Sequence, residues 1–209
     1  MRRALLEVQD ATVSVDETVL LPPTSLSVER GTICAVTGPN GSGKTTLLRV
    51  VMGRQALTGG HCALDGETPD LRRGDHRRLV ASQVEPIPLD RDLTVREHVA
   101  VVAASWFGND DVARDRAEGM LQRLGIAHLG ERFPHQLSAG QLQLAVLALV
   151  LVRPATLLLL DEPERHLDAD RVGLVARTLR EVAGSGTAVV LATHEPALVS
   201  AADRVTACG

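Results

Sequence analysis

At 209 residues, with 44% apolar and 23% charged residues, the chain has the make-up of one globular domain, or one domain with a subdomain. That size and apolar content can bury a core without disulfides or a structural metal. A net charge of -4 excludes a polybasic nucleic-acid or membrane binder by bulk charge. The apolar run Leu144 to Val152 stops at Arg153-Pro154 and is too short to span a bilayer. The apolar stretch at the start ends at Glu7, short of a secretory leader. Cys34, Cys62 and Cys208 show neither a disulfide framework nor metal-like spacing, so the cytosol is the expected compartment.

In chain order, Leu5-Glu7, Ala11-Val15 and Leu26-Val28 read as short antiparallel strands. Thr32 to Val36 is a continuous apolar run, the pattern of a strand buried on both faces. A glycine-rich turn follows, then a helix over Thr45 to Met52 closed by Gly53. Arg78 to Ser82 reads as a strand. Thr94 with Glu97 forms a capping box for the next helix, which ends near Trp106 and Phe107. Both rings are expected to fill the core of a small helical subdomain. A second helix over Val112 to Leu124 and a third after Ser138 complete that segment. Strands at Leu157-Leu160, Ala188-Ala192 and Arg204-Ala207, with a helix from Asp168 to Ala183, finish the chain. This alternation predicts an α/β fold with a mostly parallel, helix-covered sheet and a small N-terminal antiparallel β subdomain. Residues 1–89 and 153–209 would form the core, and 90–152 an inserted all-helical subdomain.

Two segments carry chemistry. Gly38-Pro39-Asn40-Gly41-Ser42-Gly43-Lys44-Thr45 fits G-x-x-x-x-G-K-[ST], a phosphate loop, between a predicted strand and a predicted helix. Glycines let successive N–H groups point inward at phosphate oxygens, and the helix start adds positive potential. Lys44 can reach the β- and γ-phosphates, and the Thr45 hydroxyl can ligate magnesium. Lys44 is also the one lysine in a chain whose other basic residues are all arginine, so this position calls for a compact ammonium. The second segment, Leu157 to Pro163, is an apolar strand ending in Asp161-Glu162. It can deliver Asp161 to the magnesium shell and Glu162 to an attacking water.

Together with further motifs, these segments resemble the ATP-binding cassette (ABC) ATPase family. Leu137-Ser138-Ala139-Gly140-Gln141 is similar to its signature, Gln83 to its Q-loop glutamine, Leu167-Asp168 to its D-loop and His194 to its switch histidine. The elements follow the family order over residues 31–196. The resemblance implies a P-loop NTPase core that binds ATP through residues 38–46, Thr46 included, with Mg2+ on Thr45, Gln83 and Asp161. It implies Lys44, Gln83, Glu162 and His194 as the catalytic set. Ser138, Ala139, Gly140 and Gln141 would contact the nucleotide of a second subunit, in a head-to-tail homodimer or heterodimer. A separate transmembrane permease would convert ATP hydrolysis into transport, with this subunit held at the cytoplasmic face of the cell membrane. The alternative is a soluble ABC ATPase serving assembly or regulation.

The sequence departs from the family at four places. Val15 falls near the usual adenine-stacking aromatic, and the chain has no tyrosine. Ala139 replaces a signature glycine. Leu142-Gln143-Leu144 stands where an arginine is frequent, so that helix is expected to be buried nearly all round. Glu164-Arg165-His166 replaces the small residues that usually precede Leu-Asp.

Overall fold

The computed structural model describes residues 4–70 and 72–209. Its N-terminal part is a three-stranded antiparallel sheet in the order β2-β1-β4, from β1 (Leu6–Val15), β2 (Thr18–Val28) and β4 (Gly59–Leu64). The short strands expected over the first thirty residues are thus two long ones. Irregular register after Val8 and a left-handed Asp10 break the alternation that a single strand would show. Pro22 and Pro23 are tolerated because β2 lies at the sheet edge. Strand β4 escapes sequence reading because Gly59-Gly60 looks like a turn. A Cβ on Gly60 would come within 2.2 Å of the Asp10 carbonyl, so glycine is needed where the two backbones cross.

The second sheet is parallel, in the order β5-β6-β7-β3-β8, from β3 (Ile33–Thr37), β5 (Val80–Gln83), β6 (Leu157–Asp161), β7 (Ala188–Ala192) and β8 (Arg204–Ala207). The strand expected from Arg78 begins only at Val80. Residues 74–79 form α2 (Gly74–Leu79) instead, with Asp75 in its first turn and Arg77 and Arg78 in its last, where the helix dipole favours them. Alternate residues of the sheet feed two cores. Leu157, Leu159 and Val190 pack with β1 and α1 (Lys44–Val51), whereas Leu158, Leu160 and Leu191 pack beneath the helices.

Between β5 and β6 the regular elements are helical: α3 (Val95–Phe107), α4 (Asp110–Arg123), two short 3-10 turns and α5 (Ala139–Leu151). The Thr94–Glu97 capping box is formed, and Asn109 caps α4. From Leu144 onward α5 is buried almost all round, as its composition requires. Of the two aromatic rings expected in the subdomain core, one reaches it. Phe107 is half-buried against the helical core, and Trp106 lies half-buried outside it. Each ring has a guanidinium over its face, Arg116 on Phe107 at 5.2 Å and Arg153 on Trp106 at 4.7 Å. The chain closes with α6 (Ala169–Gly184), β7, the short α7 (Pro196–Ser200) and β8.

Candidate functional site

Parallel pairing sets the site. In register, Val36 of β3 and Asp161 of β6 both face Ala192 of β7, and Gln83 of β5 faces Leu160. The carboxyl ends of four strands therefore meet at one edge, where open α/β sheets hold their ligands.

The phosphate loop leaves β3 at this edge. Gly38 has φ +144°, and a Cβ there would lie 2.3 Å from the Cys208 carbonyl. Gly43 is left-handed at φ +100°, and its Cβ would meet the Leu20 carbonyl at 2.6 Å. Neither position accepts a side chain. Helix α1 begins at Lys44 with no side-chain cap and no acidic residue in its first turn, so its positive end is left for a ligand. Lys44 is only 6% exposed, and its Nζ donates to the Gly38 carbonyl at 2.7 Å and the Pro39 carbonyl at 3.0 Å. The ammonium thus braces the loop that it also charges.

Thr45 Oγ1 donates to Asp161 Oδ2 at 2.6 Å, joining the two sequence segments that carry chemistry. Burial pushes the Asp161 carboxyl above its ordinary range, and the Glu162 charge acts in the same sense. The Thr45 hydrogen bond and the charges of Lys44 and Arg49 oppose that rise. Glu162 is held at φ +48°, left-handed for a non-glycine residue, while its N–H donates to the Ala192 carbonyl at 2.9 Å. Such a backbone costs about 1–3 kcal/mol and persists only where neighbours fix it. Glu162 Oε1 lies 4.0 Å from Nδ1 of His194, whose side chain is 59% exposed.

Gln83 Oε1 is buried without a hydrogen-bond partner. Gln83 sits on the strand beside the one that carries Asp161, and an amide oxygen, a carboxylate and the Thr45 hydroxyl are donor types that magnesium takes. No cluster of three or more His, Cys, Asp or Glu side chains able to cage a metal occurs among the described residues. Magnesium needs none, because it is held through one or two carboxylates plus substrate phosphates.

A groove of about 500 Å³ runs along the loop, lined by Asn40, Gly41, Gly43, Lys44, Thr45, Thr46 and Glu162, and walled by Thr18, Val19 and Leu20. Val15, expected at the base, is exposed but does not line it. The β1–β2 turn at Asp16, left-handed at φ +52°, brings the start of β2 to that wall instead. Ser138, Ala139, Gly140 and Gln141 stand apart from the groove. They open α5, where Ser138 Oγ accepts from the Gln141 backbone N–H and Gln141 Oε1 accepts from the Ser138 backbone N–H. A Cβ on Gly140 would approach the His166 carbonyl to 2.6 Å, so α5 starts pressed against residues 163–168.

Three contacts were not legible in sequence. Gln143 Nε2 donates to the Pro163 carbonyl at 3.0 Å, Cys208 Sγ donates to the Ser42 carbonyl at 3.0 Å, and Thr193 Oγ1 donates to Glu164 Oε1 at 2.6 Å. Each links positions at least 20 residues apart, beyond the reach of local patterning.

The family described as ABC transporter matches residues 21–165. The octopine permease ATP-binding protein P of Rhizobium radiobacter is 31% identical over 208 residues, spanning 92% of this chain and 79% of that protein. The glutamate/aspartate import ATP-binding protein GltL of Escherichia coli is 30% identical over 180 residues, spanning 84% and 75%. The macrolide export ATP-binding/permease protein MacB of Chromobacterium violaceum is 31% identical over 198 residues, spanning 91% of this chain and 30% of that protein. Among solved structures, an ATP-binding subunit of an ABC transporter superposes with a TM-score of 0.83 at 25% identity, over 98% of this chain and 85% of that one.

Proposed function

The chain belongs to the ABC transporter family as an ATP-hydrolysing subunit, and from that premise we propose how its residues divide the work. The observation that carries the reading is the meeting of Lys44, Thr45, Asp161, Glu162 and His194 at one strand-end edge. Loop amides between residues 40 and 46, at the start of α1, bind the phosphates of ATP, and Lys44 turns its ammonium from the loop carbonyls toward them. Thr45, Asp161 and Gln83 hold Mg2+, which would supply charge neutralisation on the phosphates. Glu162 orients and deprotonates the attacking water, and His194, beside it, contacts the terminal phosphate. A water-activating group needs no covalent step, only correct placement.

Ser138 and Ala139 present an exposed, capped helix start away from their own groove, with Gly140 buried and Gln141 half-buried behind them. We assign it to the nucleotide of a second ATPase subunit, identical or homologous, paired head to tail. No helix among the described residues is long and apolar enough to cross a membrane. We assign a transmembrane permease as its partner, on the likeness to the ATP-binding proteins of permease and import systems, with this subunit docked at the cytoplasmic face. Relatives named for uptake and for export stand side by side, and no direction is assigned.

Phosphate release from MgATP tests the assignment. Glu162→Gln should bind ATP yet hydrolyse it at least ~100-fold more slowly, the scale of a lost general base. Lys44→Ala should lose both binding and turnover. Wild-type turnover in either variant contradicts the roles given.

A further inference from the structure

We propose that Glu164 is a positioning residue for His194, acting through its buried hydrogen bond with Thr193; the inference rests on the role given to His194 above. His194 is exposed, and its contact with Glu162 at 4.0 Å is too long to be a hydrogen bond, so its side chain does not fix its own place. What fixes it is the backbone on either side. Thr193 is fully buried, and its hydroxyl donates to Glu164 Oε1 at 2.6 Å while accepting from the Glu195 amide at 3.0 Å. The two bonds depend on each other. A carboxylate can only accept, so the hydroxyl proton must turn toward Glu164, leaving a lone pair for the Glu195 N–H. Residues 193 and 195 are thereby pinned, and His194 stands between them.

Glu164 is itself firmly anchored. Arg165 N–H donates to the Glu162 carbonyl at 3.0 Å, Leu167 N–H to the Glu164 carbonyl at 3.0 Å, and Gln143 of α5 to the Pro163 carbonyl at 3.0 Å. The pair is not accounted for as a stabilising contact alone, because Glu164 Oε2 is buried with no partner, which costs stability. Its return is geometric: the segment that holds Glu162 also holds the loop that holds His194.

The test uses the full chain and four variants: Glu164→Ala, Thr193→Val, their combination, and Glu164→Gln, whose amide oxygen can still accept from Thr193. The turnover number should fall about tenfold in each of the first two, with KM for MgATP moving less than about twofold, because the loss is one of orientation. The combination should be no worse than the more damaged single variant, since one interaction is removed twice. Glu164→Gln should restore most of the turnover. In nucleotide-free protein, amide exchange at Glu195 should quicken in Glu164→Ala and Thr193→Val and stay slow in Glu164→Gln. Turnover unchanged in Glu164→Ala, additive losses in the combination, or equal loss in Glu164→Gln would each overturn the proposal. If Lys44→Ala and Glu162→Gln also leave turnover intact, the hydrolytic assignment fails. The Glu195 exchange rates then decide the clamp by themselves, and unchanged rates overturn it.

Discussion

Val19 shows how one side chain can set nucleotide affinity without base selectivity. It is 60% exposed, aliphatic, and part of the wall above the phosphate loop, with Thr18 and Leu20 beside it. No aromatic residue lines this groove, so a base lying there meets apolar carbon and no π-face. Base stacking on an aromatic ring is worth about 1–3 kcal/mol in single-strand binding proteins, and every base has a π-face. Val19→Tyr should therefore tighten ATP and GTP alike, by about tenfold if the gain is about 1.4 kcal/mol. Val15→Tyr, outside the groove, should change neither. Titration of both variants with fluorescent ATP and GTP analogues checks this, and a tightening confined to Val15→Tyr would move the base platform back to β1. Residue identity sufficed to find Lys44 and Thr45, because their chemistry follows from a contiguous motif. It did not suffice for the far wall of the groove, because a left-handed turn at Asp16 decides which hairpin residues face the loop.

Among elements, the joint between β3 and β8 carries a stability prediction. Asp203, just before β8, accepts from the Ile33 amide at 2.7 Å and from Arg180 of α6 at 2.8 Å, tying two strands and a helix together. Burial alone would raise its carboxyl, but these two bonds and the Arg180 charge outweigh it and hold the group below its ordinary range. A depressed carboxyl contributes stability above its unfolded pKa and loses it as pH falls through the folded one. Asp203→Ala should cost about 1–3 kcal/mol near neutral pH, chiefly by leaving the Ile33 amide unpaired. Chemical denaturation from pH 7 down to pH 3 should show the wild-type advantage shrinking with acidity; an advantage constant over that range would contradict the account. The order and type of most elements were legible because both periodicities are strong: continuous apolar strands at 33–36 and 157–160, and capped helices after Thr94 and Ser138. The elements missed or misplaced were those without such a signal. Strand β4 starts with two glycines that serve a backbone crossing, α7 is five residues long, and α2 ends in the residues that were read as a strand.

For the molecule as a whole, two chemically incomplete surfaces coexist on one chain. The groove at the phosphate loop supplies amides, an ammonium, a hydroxyl and carboxylates, and the start of α5 supplies a capped, exposed helix end facing elsewhere. Residues 163–168 join them, touching α5 through Gln143 and Gly140 and the His194 loop through Glu164. Two copies related head to tail would complete each groove with the other's helix end, a closed arrangement of the kind that symmetric dimers adopt. The signature motif was legible in sequence; its assignment to a second subunit's groove came from the family resemblance, since nothing local to residues 137–141 says which subunit they serve. Hydrolysis should limit the lifetime of such a pair, so a chain that binds ATP without cutting it should accumulate as one. The most direct measurement is the solution molar mass of Glu162→Gln, by light scattering on size-exclusion chromatography, with and without MgATP. The account predicts a monomer near 22.3 kDa without nucleotide and a species of twice that mass with it. Glu162→Gln remaining monomeric while saturated with MgATP would contradict it.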